Sequence, residues 1–175
     1  MSNSSPEQFR LGFLAAVEDG ERGVVGGLLV TNKFGRPLEF QCTTPVKPNR
    51  TQQILYGPTL RSFLLAEVVG KTLVEKIGVK PHLVLVESPE LLDLRQFAPM
   101  PIASLLAKAP GGDESGPTLA LGRQWLLFPA DFADDIETVR KGSGQVPDTA
   151  DLKEPFERIR EALGETLKTA MARSA

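Results

Sequence analysis

Cysteine and histidine occur once each in this sequence, as Cys42 and His82. A lone thiol excludes an internal disulfide and fits a reducing compartment. A lone histidine excludes multi-histidine metal sites. Charge of one sign is also lacking: 20 basic and 22 acidic residues leave a net charge of −2. No bulk basic surface is available, so the balance argues against nucleic acid as a partner. Apolar runs reach only a few residues, too short to span a membrane. The polar stretch Met1–Arg10 has no apolar core of signal-peptide length. The expectation is a cytoplasmic protein with no membrane segment. What is present is ordinary for a globular chain: 175 residues, 41% hydrophobic and 24% charged. That length supports one domain and an appendage without a stapling metal or disulfide.

Three short strands come first. Leu11–Val17 and Val24–Thr31 are apolar runs, and Leu38–Thr43 alternates Leu38, Phe40 and Cys42 against Glu39, Gln41 and Thr43. Short turns join them, which predicts an antiparallel meander. Gly26 and Gly27 in the second strand point to a bulge or a close backbone approach. A short helix over Arg50–Tyr56 breaks at Gly57-Pro58, and a long helix follows to about Ile77. His82–Glu87 is apolar until its last residue, the pattern of a strand covered on both faces. Pro89–Phe97 reads as helical, Ile102–Lys108 as one or two helical turns, and Ala109–Pro117 as a flexible loop. Thr118–Phe128 is one strand, or two turning at Gly122-Arg123. Asp131 is placed to cap a helix over Phe132–Arg140.

These elements predict an α+β fold: an antiparallel meander sheet of about five strands, one long packed helix and a C-terminal amphipathic helix. The division is residues 1–140 as the domain, 141–150 as a linker and 151–175 as the helix. In that helix Leu152, Phe156, Ile159, Leu163, Leu167, Ala170 and Met171 recur at spacings of three and four. The stripe must be buried against its own domain, a second copy or a partner protein.

Five constellations bear on chemistry. Gly70-Lys71-Thr72 lacks the glycine of a phosphate loop, since Leu65 stands five residues before Gly70, and it lies within a helical pattern. Cys42 and His82 would have to meet in space to act as nucleophile and base, but Cys42 falls on the apolar side of its strand. Lys33, Arg36, Lys47, Arg50 and Arg61 form a basic rim. Lys47 and Arg50 within it are candidate anion ligands beside a helix start. Acidic residues collect at Glu18-Asp19, at Glu87 and at Asp131, Asp134 and Asp135. Phe156, Ile159, Leu163, Leu167 and Met171 are the candidate partner-binding face.

The order of three meander strands, a long helix and a buried strand resembles the opening of RNase H-like nucleases. Glu18-Asp19-Gly20-Glu21-Arg22-Gly23 resembles the acidic, glycine-rich first motif of type 2 RNases H. The resemblance implies carboxylates on the first strand, at the end of the fourth and on a late helix. Such a set holds divalent metals for phosphodiester hydrolysis. The architecture is also similar to profilin-like and GAF-type sensor domains. With no complete catalytic cluster legible, the leading expectation is a non-enzymatic interaction or scaffold module with no cofactor and no metal. Its C-terminal helix would mediate self-association or partner docking. The alternative is an RNase H-like metal-dependent nuclease using Glu18/Asp19, Glu87 and Asp131/Asp134/Asp135.

Overall fold

The computed structural model describes residues 7–174. Strands β1 (Leu11–Asp19), β2 (Gly23–Thr31) and β3 (Pro37–Cys42) form the expected meander. They are joined by β4 (Leu83–Val86), β5 (Ile102–Leu105), β6 (Thr118–Leu121) and β7 (Gln124–Leu127). The sheet has the order β3-β2-β1-β4-β5-β7-β6. It is mixed rather than purely antiparallel, and seven-stranded rather than five-stranded. β1 pairs β4 in parallel, with Leu11 opposite Leu83 and Leu14 opposite Val86, and β4 pairs β5 in parallel. The expectation of helix at Ile102–Lys108 is corrected by β5, whose Ile102, Ala103 and Ser104 are fully buried. Four residues are too few to display a period, so burial beside β4 decides their conformation.

Helical layers cover both faces. On one side an uninterrupted run of helical turns comprises α1 (Arg50–Tyr56), a 3₁₀ turn at Gly57–Thr59, α2 (Leu60–Ser62), a π-helical stretch at Phe63–Gly70 and α3 (Lys71–Lys76). Leu65, Val69 and Leu73 from this run share a core with Leu14, Leu28, Val84 and Val86. On the other side α4 (Asp135–Ser143) and α5 (Glu154–Ser174) bury Ile136, Val139, Phe156, Ile159 and Leu163 against Leu11, Phe13, Leu29, Leu83 and Leu85. Alternate residues of β1 and β4 therefore serve opposite cores. This explains why the β4 run is apolar throughout.

The C-terminal stripe is thus occupied by its own sheet. Phe156, Ile159 and Leu163 are at most 1% exposed, and Phe156 meets Phe13 edge to face at 5.5 Å. Each such side chain contributes about 1.5–3 kcal/mol on burial. Leu167 packs at the margin of the same core, and the side chain of Met171 lies outside those described.

Gly26 and Gly27 mark the close approach read from the sequence. A Cβ on Gly26 would lie 2.1 Å from Val69 Cγ1 in the long helical run. On Gly27 it would lie 2.9 Å from Ile159 Cγ2 in α5. Adjacent glycines on opposite faces let both layers close on β2. The register shift falls elsewhere, between Val30 and Thr31.

Two ties lie outside the core. Glu39 on β3 accepts the backbone N–H groups of Gly78 (3.0 Å) and Val79 (2.7 Å) just past α3. The Gly78 N–H contributes most to holding this carboxyl below its ordinary 4.5, followed by Gln41 and Val79. Glu114 does the same for the glycine-rich loop, accepting from Gly111 and Gly112, which likewise lowers its pKa. Among the described residues no helix is long and apolar enough to cross a membrane.

Gly26→Ala is expected to destabilise by about 1–3 kcal/mol, because Val69 is stiff and fully buried. Gly164→Ala, in α5 with nothing within 4 Å of its added Cβ, is expected to stabilise by about 0.5–1 kcal/mol. Denaturant unfolding measures both. For Glu39, the lowered folded pKa means a contribution present above its unfolded value and lost as pH falls through the folded one. The melting temperature of Glu39→Gln should lie below wild type at neutral pH and converge with it in acid.

Candidate functional site

The register of β1 against β4 creates the most distinctive surface. β4 ends at Val86, opposite Leu14, so from Ala15 to Asp19 β1 keeps only its β2 partner and its other edge is open. Glu18 and Glu87 flank this step. Both line a cavity of about 90 Å³ with Leu14, Ala16, Arg61, Ser88 and Leu91. It adjoins a larger cleft of about 440 Å³, with which it shares Glu18, Arg61 and Leu65. The β1–β2 turn, Lys47 and Pro48, and the Gly57–Leu65 corner wall this cleft.

Each carboxylate at the step is met by an arginine. Arg61, just inside α2, bonds Glu18 through Nη1, and its Nε lies 2.9 Å from Glu90 Oε2. Arg160, on α5, bonds Glu87. All four side chains are about half exposed, so these pairs add at most about 1 kcal/mol each to stability. Asp19 is turned to its own hairpin, accepting the Glu21 N–H at 3.1 Å. Lys47 Nζ donates to the Glu21 carbonyl at 3.0 Å. Arg50 reaches Gln53 at 3.5 Å, and the Asn49–Gln52 capping box satisfies the start of α1.

The late acids do not join this group. Asp135 is buried and bidentate to Arg95, at 2.7 and 3.2 Å, and Arg95 also stacks on Phe132. Asp131 and Asp134 are exposed, and neither lines the cavity. Asp131 does not cap a helix over 132–140. A 3₁₀ turn at Ala130–Phe132 comes first, and α4 starts at Asp135 without a side-chain cap.

The basic rim is divided. Antiparallel pairing of Leu11 with Thr31 puts Lys33 and Arg36 at the end of the sheet opposite Lys47 and Arg61. Cys42 and His82 are not a pair. His82 Nδ1 accepts the Arg10 N–H at 2.9 Å and its ring stacks on Phe9, whereas Cys42 lies opposite Gly27 on β2.

A two-metal centre is implied by the nuclease resemblance, and the donor set does not fit one. Of the six candidate acids, Glu18, Glu87 and Asp135 are held by Arg61, Arg160 and Arg95, and Asp19, Asp131 and Asp134 do not line the cavity at the step. Among the described residues no group of three or more His, Cys, Asp or Glu is placed to hold a metal ion.

Strand order, the parallel β1–β4 pair and the flanking helices are similar to the RNase H-like architecture. No protein-family model matches the sequence, and no curated protein matches it. Among solved structures, human ENDOV is similar over 91% of this chain and 86% of its own, at 10% identity and a TM-score of 0.53. Endonuclease V of Ciona intestinalis, in complex with DNA containing an inosine followed by a ribo-adenosine, matches over 91% and 87% at 9% identity and a TM-score of 0.51. These likenesses establish the fold. They overturn the expectation of an interaction module built on the last helix, and favour the architecture of the nuclease alternative.

Arg160 and Ser88 escaped the sequence reading. Arg160 stands 73 residues from Glu87, and no local pattern links them. Asp135→Ala is expected to cost about 3 kcal/mol, because it removes the buried partner of the half-buried Arg95. Asp131→Ala and Asp134→Ala should stay within about 0.5 kcal/mol. Equal losses at all three positions would contradict the structural role given to Asp135.

Proposed function

We propose that the protein binds a nucleic-acid strand in the cleft at the carboxyl ends of β1 and β4. The carrying observation is the position of Arg61 and Lys47 in that cleft. In a sheet with parallel strands, ligands settle outside the carboxyl ends, where strand connections diverge. The DNA-bound Ciona protein of the same fold supports the same class of ligand. The net charge of −2 is no obstacle, because phosphate contacts depend on local cations. The cleft also offers apolar wall for sugar and base in Pro48, Pro58, Leu60 and Leu64. Exposed Ile54 and Leu55 lie on α1 beside it.

Fluorescence anisotropy with labelled single-stranded and duplex DNA and RNA, with and without inosine, tests this reading. Binding should weaken as salt rises, with a log–log slope of about −0.7 for each phosphate contacted on a single strand. Lys47→Ala and Arg61→Ala should each reduce affinity several-fold and flatten that slope. Lys33→Ala, at the opposite end of the sheet, should change neither. No binding by any of these nucleic acids, or equal effects of all three substitutions, would refute the assignment.

A further inference from the structure

We infer that Arg61, which lines this cleft, and Arg160, which is tied to its edge through Glu87, take the electrostatic place of metal ions, so the protein grips a phosphate-bearing strand without divalent metal and does not cut it. The inference rests on the nucleic-acid reading of the cleft. Three observations carry it. First, Glu18 and Glu87 line one cavity at the β1–β4 step, yet each is held by a guanidinium from a different helical layer. Second, the strand positions facing this cavity are filled by Leu14 and Ala16, so no further carboxylate projects from within β1. Third, the donors are not exhausted. Arg160 gives Nη1 to Glu87, while Arg61 gives Nη1 to Glu18 and Nε to Glu90, leaving N–H groups on both for an incoming phosphate.

Phosphate and glutamate compete for the same guanidinium geometry. The half-exposed pairs are weak enough to be rearranged by such a competitor. The two carboxylates therefore act as internal counter-ions that a bound strand displaces. This gives their substitution a sign opposite to that expected of metal ligands. A metal-holding carboxylate weakens binding or abolishes cleavage when made neutral. A competing carboxylate tightens binding when made neutral.

The test uses the full chain and a labelled single-stranded oligonucleotide, followed by anisotropy and by gel assay for cleavage, in EDTA and with magnesium or manganese. The expected result is equal affinity in both conditions and an intact oligonucleotide. Glu18→Gln and Glu87→Gln should tighten binding several-fold, and Arg160→Ala should weaken it roughly tenfold, the size of one charged hydrogen-bond contact. Arg160→Lys should restore part of the loss, and circular dichroism verifies that each variant is folded. Binding that needs divalent metal, metal-dependent cleavage, or weakening by the two glutamine substitutions would overturn the inference while leaving the nucleic-acid reading intact. Absence of binding in both conditions would sink that reading, and this inference with it.

Discussion

The parallel pairing of β1 with β4 is the constraint on which the rest of the molecule depends. It brings together strands separated by the whole helical run from Arg50 to Lys76. A parallel pair requires such a crossover, and it requires cover on both faces. The crossover supplies one layer. The other comes from α5, whose Phe156 reaches Phe13 through the opposite face of β1. Gly26 and Gly27 allow both layers to approach the neighbouring strand at once. Because β1 outruns β4, the pairing also leaves an open step with Glu18 and Glu87 beside it. Stability and site thus share one origin.

Burial explains why the C-terminal helix is structural. A stripe of fully enclosed Phe156, Ile159 and Leu163 contributes several kcal/mol to the native sheet, using the per-residue scale for apolar burial. Exposing it to a partner would forfeit that contribution together with the cover over β1 and β4. What α5 does present outward is polar, and its Arg160 reaches the edge of the step by pairing with Glu87. The helix contributes to the site through one charged side chain rather than through its apolar face.

Local patterns in the sequence account for the meander, the doubly covered β4, the long helical run and the α5 stripe, because each is written in residue spacing. Gly26-Gly27 was legible as a close approach because glycine pairs inside strands have few other uses. The parallel register was not legible, since nothing local distinguishes β4 beside β1 from β4 in an antiparallel sheet. β5 was misread because Ile102–Leu105 is too short for any period. At the site, Glu18 and Glu87 stood out individually as acids at strand ends. Their meaning depends on Arg61 and Arg160, which reach them across large chain separations. Asp135 shows the converse, an acid that resembled a ligand and is tied to Arg95 instead.

The ligand proposed for the step between β1 and β4 is a nucleic-acid strand held through arginines without metal. Amide hydrogen exchange with and without a single-stranded oligonucleotide, in EDTA throughout, tests it most directly. Slowed exchange is expected at Gly57–Leu65 and at Glu87–Leu91, with β3 and the Asn32–Arg36 turn unchanged. Slowing confined to the Asn32–Arg36 end of the sheet, or slowing at the step only after magnesium is added, would contradict it.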